Sequence, residues 1–147
     1  MLENFRHCIS IEVRFGDLDA MGHVNNAKYL TYLETARIRY VHEVCAPHTN
    51  WSELGMILAK VVIEYKAPLL YDDQVELYTR VSRIGNKSFE IEHVVMRTAD
   101  DQSEVAALGT TTLVSYDYQQ KRTIPVPDSW RERILAYEPA LSTLTNE

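Results

Sequence analysis

Cysteine is nearly absent from this sequence: two in 147 residues, Cys8 and Cys45. One disulfide is arithmetically possible, but a disulfide-stapled scaffold is excluded. Neither thiol sits in a pattern with His and Asn that would mark a catalytic nucleophile. The N-terminal MLENFRHCIS lacks the basic start and apolar run of a signal peptide, so we expect a cytoplasmic protein with reduced thiols. No stretch approaches the roughly 18 consecutive apolar residues that span a bilayer, so no membrane partner is expected. His7, His23, His42, His48 and His93 form no HxH or HxxxH pair and there is no CxxC, so we expect no metal. Positive charge is also short. A net charge of −6 argues against nucleic acid as the main partner, because phosphate-backbone binders show a basic excess or patch. It leaves room for a small anionic ligand held by a few local Lys and Arg residues. There is no internal repeat and no low-complexity segment.

What remains is an ordinary globular composition, 46% hydrophobic and 24% charged. The whole chain, 1–147, reads as one domain with a loose tail over 136–147, long enough to bury about two thirds of its unfolded surface. Residues 7–15 alternate as a strand with Ile9, Ile11, Val13 and Phe15 on one face. Residues 16–22 read as a loop. From Ala27 to about Val44 the pattern is helical: Tyr29, Leu33, Ala36, Tyr40 and Val44 recur at spacings of three and four, and Leu30 and Val41 widen the stripe. Such a helix is about 27 Å long. Pro47 follows its end. Beyond it the period changes from 3.6 to 2, and strands are expected at 57–67, 74–84, 88–98 and 104–116. Short turns between them imply an antiparallel meander. A short helix follows from Trp130 to about Tyr137.

The fold class is therefore α+β: an antiparallel sheet of five to six strands with one long helix to cover its apolar face. One helix cannot cover such a sheet edge to edge, so the edges should pair in a homodimer or homotetramer.

Candidate chemistry concentrates in Arg14–Tyr40, RFGDLDAMGHVNNAKYLTYLETARIRY. Asp17 and Asp19 precede a helix N-terminus, where unsatisfied N–H groups can receive a developing oxyanion while a carboxylate acts as base or nucleophile. Both can equally be turn formers. Their spacing leads us to expect at most one of them to face a site. His23 is a candidate base or positioning group, or a histidine that satisfies loop carbonyls. Asn25 and Asn26 can cap the helix and aim its first amides at a ligand. Glu34 and Arg37 read as an i, i+3 surface pair. Arg80, Arg83 and Lys87, with Ser88 and with Arg97 on the facing strand, form either a solvated hairpin end or a cationic rim for phosphates.

The segment DLDAMGHVNNAKYLTYLETAR resembles the signature of the hotdog-fold 4-hydroxybenzoyl-CoA thioesterase family, and SRIGNKSFEIEHVV and LGTTTLVSYD are similar to its strands. The likeness runs over residues 7–137. It implies a hotdog fold, with the sheet wrapped around the central helix and paired across a dimer. It also implies hydrolysis of an acyl-CoA or acyl-carrier-protein thioester without a cofactor. Asp19, the second aspartate of the pair, takes the place of the family's catalytic carboxylate. The amide near Asn26 would polarise the thioester carbonyl, and Arg83, Lys87 and Ser88 are the candidates for the CoA phosphates. The segment is also similar to the plant acyl-carrier-protein thioesterases, which group an Asp, an Asn and a His. Asp19 and His23 match that group, but Met21 stands in place of the Asn, which leaves His23 a supporting role. The rival expectations are a non-catalytic acyl-CoA binding module and, more remotely, a hotdog dehydratase.

Overall fold

The computed structural model describes residues 2–141. Strand β1 (His7–Ile11) is followed by a single 3-10 turn, Phe15–Asp17, and by helix α1 (Asn26–Tyr40). A wider turn, Val41–Cys45, ends that helix. Four long strands follow: β2 (Leu54–Tyr65), β3 (Gln74–Ile84), β4 (Ser88–Ala99) and β5 (Gln102–Asp117). A two-residue strand β6 (Arg122–Thr123) and helix α2 (Asp128–Tyr137) complete the order. All strand pairs are antiparallel, and the sheet curls around α1.

The strand order is β1-β3-β4-β5-β2, with β6 against β5. The expected meander is thus correct for β3, β4 and β5 only. The connection from β2 to β3 carries the chain across the sheet, so β2 lies at one edge beside β5. Two other expectations are corrected. Phe15 is 79% exposed, because β1 ends at Ile11 and the 3-10 turn breaks the alternation. Leu30 is 47% exposed, because its side of α1 looks toward the open edge of β2. The tail is ordered further than expected: Tyr137 is still helical, and Glu138 and Leu141 are buried. Residues 142–147 of the expected loose tail lie outside the described residues.

The helix faces the sheet with Tyr29, Tyr32, Leu33, Ala36 and Tyr40, all buried. At Gly109 the approach is closest: an added Cβ would lie 2.9 Å from Leu33 Cδ1. The core has two halves. One holds Tyr29, Leu33, Leu69, Val75 and Leu77 beneath the N-terminal half of α1. The other holds Tyr40, Val44, Val81, Phe89, Trp130 and Ile134, where α2 closes the far end. Between them runs a buried polar row, Thr79, His93 and Thr111. Thr79 Oγ1 and His93 Nδ1 are 3.1 Å apart. Burial, with Arg37 nearby, pushes the His93 imidazole down to about 3, so the row is neutral.

Candidate active site

The acidic turn is a miniature hairpin. The Asn25 N–H donates to the Asp17 carbonyl at 2.9 Å and the Asp19 N–H to the His23 carbonyl at 2.8 Å. Leu18 and Val24 pair between these rungs. Gly22 closes the tip at φ 81°, a left-handed conformation that favours glycine. The hairpin is fixed to the body through Val24 N–H, which donates to Leu69 O at 2.9 Å.

The two aspartates do different things. Asp19 Oδ1 accepts the amides of Met21 at 2.9 Å and His23 at 3.3 Å. Those bonds fix the carboxylate plane. Its other oxygen, Oδ2, makes no hydrogen bond among the described residues. Asp17 turns onto the helix: its Oδ2 accepts the Tyr32 hydroxyl at 2.6 Å and the Arg14 N–H at 3.1 Å. Lys28 Nζ lies 3.9 Å from Oδ1. Burial alone would raise the Asp17 carboxyl. The two hydrogen bonds and the charges of Lys28 and Arg14 outweigh it and hold the group below its ordinary value.

Helix α1 starts with one amide left open. Asn25 Oδ1 accepts the Ala27 N–H at 2.9 Å, and the Lys28 N–H donates to Asn25 O at 2.8 Å. The Asn26 N–H has no acceptor among the described residues. Asn26 O accepts the Tyr65 hydroxyl at 3.1 Å, which ties the helix start to the end of β2. The structure therefore places Asp19, His23 and Asn26 around one helix N-terminus. His23 is joined to Asp19 through its backbone, and its ring makes no hydrogen bond among the described residues.

Arg83, Lys87 and Ser88 are elsewhere. They flank the turn between β3 and β4, where Gly85 N–H donates to Ser88 O at 2.7 Å and Arg131 of α2 braces the Gly85 carbonyl at 2.8 Å. His23 pairs with Leu70, ahead of the opposite end of β3. The eleven residues of β3 separate the two groups by about 30 Å, so one protomer does not bring them together. Arg97, expected beside Lys87, is at the wrong end of β4 and donates instead to Asp73 at 2.8 Å. Arg80 pairs with Glu92. Glu34 and Arg37 do form the expected i, i+3 pair, at 3.6 Å.

Two apolar hollows lie between α1 and β2. One, of about 480 Å³, begins at Tyr65 and is lined by Leu30, Leu33, Val61 and Ile63. The other, of about 440 Å³, lies toward Trp51, Met56 and Tyr118. They share Arg37 and Leu58. Among the described residues the sheet has no further strand beyond β2, and Ile57, Leu58, Val62 and Tyr65 on β2 are 40–47% exposed. Among the described residues no helix is long and apolar enough to cross a membrane, and no group of three or more His, Cys, Asp or Glu is placed to hold a metal ion.

A curled antiparallel sheet around one long helix is the arrangement of the hotdog-fold proteins. Within that class the chain belongs to the Thioesterase-like superfamily, whose sequence model matches residues 13–134. It is 25% identical over 127 residues to the long-chain acyl-CoA thioesterase FadM of Escherichia coli (strain K12), covering 84% of this chain and 93% of that one. It is 36% identical to a thioesterase of Thermus thermophilus, solved complexed with coenzyme A and Zn. That match has a TM-score of 0.79 and covers 93% of this chain and 97% of that one. A 4-hydroxybenzoyl CoA thioesterase mutant complexed with 4-hydroxybenzoyl CoA shares the fold at TM-score 0.80 and 20% identity, over 87% and 97% of the two chains.

Proposed function

We propose that this protein hydrolyses acyl-CoA thioesters, with Asp19 as the reacting carboxylate and the Asn26 amide as the carbonyl polariser. The observation that carries this reading is a fixed carboxylate on the turn that leads into a helix whose first N–H is open. The free Asp19 Oδ2 can take a proton from a water that attacks the thioester carbon. It can instead attack that carbon itself and form a mixed anhydride that water then opens. On either route the tetrahedral intermediate carries an oxyanion. The Asn26 N–H, backed by the helix dipole, stabilises it by about 2.7–4 kcal/mol. The C–S bond breaks, the CoA sulfur gains a proton, and the products are a carboxylic acid and free CoA. No bound group is asked to take part. His23 lies at the tip of the same hairpin as a supporting residue.

The phosphate end of CoA needs the second copy. Two β2 edges paired antiparallel about their midpoint would set the Tyr65 end of one strand beside the Leu54 end of the other. The second copy would then bring its Arg83 on β3, Ser88 on β4 and Lys87 in the turn between them toward Asp19. The exposed apolar residues of β2 support this homodimer, which is also the minimal unit of a tetramer. The acyl group then lies along α1 in the apolar hollows.

The test is thiol release from short, long and aryl acyl-CoAs by wild type and Asp19→Asn. We expect turnover that falls about 10²–10⁴-fold in the variant, with the melting temperature unchanged. An undiminished rate would reject Asp19. Absence of release from every acyl-CoA would move the assignment to an acyl-carrier-protein thioester and then to the binding module.

A further inference from the structure

We propose that Tyr32 and Asp17 are a positioning pair for hydrolysis: they set the placement of the Asp19 turn against the Asn26 amide. The inference rests on the reading of Asp19 above. Asp19 itself makes no hydrogen bond or ion pair to α1, since both its side-chain bonds stay within its own turn. Among the described residues, apart from the Asn25 cap on the Ala27 N–H, every side-chain hydrogen bond or ion pair between the 17–25 hairpin and α1 goes to Asp17. The same residue also receives the Asn25 N–H on its carbonyl. Asp17 is thus held to α1 by main chain and side chain together, two residues before Asp19.

Tyr32 makes that hold rigid. The residue is 5% exposed and sits on the sheet-facing side of α1, its ring in tilted contact with Tyr29. The hydroxyl reaches 15 residues back along the chain to end 2.6 Å from Asp17 Oδ2. A hydroxyl carried on a buried ring has almost no freedom, so the carboxylate it meets is placed to within the length of one short hydrogen bond. A misplacement of about 1 Å between reacting groups can cost about 10²-fold in rate. The loss of this bond should therefore appear in the chemical step and not in substrate affinity.

The experiment uses the intact protein and thiol release from whichever acyl-CoA it turns over. Tyr32→Phe keeps the ring and removes only the hydroxyl. We expect kcat to fall tenfold or more (about 10¹–10²-fold) with KM unchanged. Tyr40→Phe removes an equally short tyrosine–carboxylate bond at the C-terminal end of the same helix. It should lower the melting temperature and leave kcat alone, which separates positioning from general stability. Asp17→Asn, which retains an acceptor for the Tyr32 hydroxyl, should keep more of the rate than Asp17→Ala. Adding Tyr32→Phe to Asp19→Asn should cause no further loss. Wild-type kcat in Tyr32→Phe beside a dead Asp19→Asn overturns this inference and leaves the proposed function standing. An equal fold-loss in the Asp19→Asn background overturns it too, because the pair would then act elsewhere. A fully active Asp19→Asn overturns the reading of Asp19 and this inference with it.

Discussion

Two tyrosines of α1 carry the same device with opposite electrostatics. From mid-helix the Tyr32 hydroxyl meets Asp17, and from the last residue of the helix the Tyr40 hydroxyl meets Glu138, both at 2.6 Å. Glu138 also accepts the Val81 N–H at 3.1 Å, an amide next to the register shift between Val81 and Arg83 of β3. Yet burial wins at Glu138 and pushes its carboxyl above the ordinary value, over the opposing pull of Tyr40, Val81, Arg80 and Arg6. At Asp17 the hydrogen bonds and nearby cations win, and the shift is downward. A short hydrogen bond therefore does not decide the state of a carboxylate; the depth of the site and the charges around it do. The shallow pair holds a loop that must meet substrate. The deep pair seals α2 against the core.

That contrast can be broken by removing the seal. Trp130→Ala should cost about 3–5 kcal/mol of stability, because Trp130 is buried beside Trp51 and Val126 and donates to Thr49. Chemical denaturation would measure it, and the kcat of the folded fraction should stay at the wild-type value. Next in size, Glu138→Ala strands the Tyr40 hydroxyl and the Val81 N–H and should cost about 1–3 kcal/mol.

A change of pH sharpens the comparison. Glu138 has a raised carboxyl, so the folded chain holds a proton that the unfolded chain has released. Its favourable contribution is present below the ordinary value of 4.5 and is lost as pH rises through the folded value. Glu138→Gln, which keeps an acceptor, should gain melting temperature relative to wild type at pH 7 compared with pH 4. Asp17 runs the other way. Its contribution is full above the ordinary 3.8 and disappears as pH falls through its lower folded value. Asp17→Asn should therefore lose its stability deficit in strong acid. The smallest effect belongs to Lys28, half exposed and 3.9 Å from Asp17. Lys28→Met should change stability by under about 1 kcal/mol and kcat by less than twofold in the thiol-release assay.

Much of this arrangement is legible in the sequence, and the gaps have physical causes. The stripe Tyr29, Leu33, Ala36, Tyr40 follows from local period, as do the alternating faces of β3 and β4. The position of β2 does not, because which strands become neighbours is decided by pairing between distant segments. Asp19 stands out through its motif. The Asp17 hold does not, since a tyrosine at a buried helix position reads as core and nothing local says where its hydroxyl points. Glu138 sits in a segment with no periodic signal, and its partner lies 98 residues away. The Arg97 error has the same origin: a basic residue on a neighbouring strand is near the turn only if it lies at the same end.

The order of the strands also shapes how the chain is made. β2 ends at Tyr65, and its one partner strand among the described residues begins at Gln102. At about 5–20 residues per second, a ribosome leaves β2 without that partner for seconds. During that interval the run ILAKVVI has only Lys60 to interrupt it, and a single charge of this kind is the usual guard against premature strand association. Synthesis speed and chaperone supply should therefore affect how much of this protein reaches its native state.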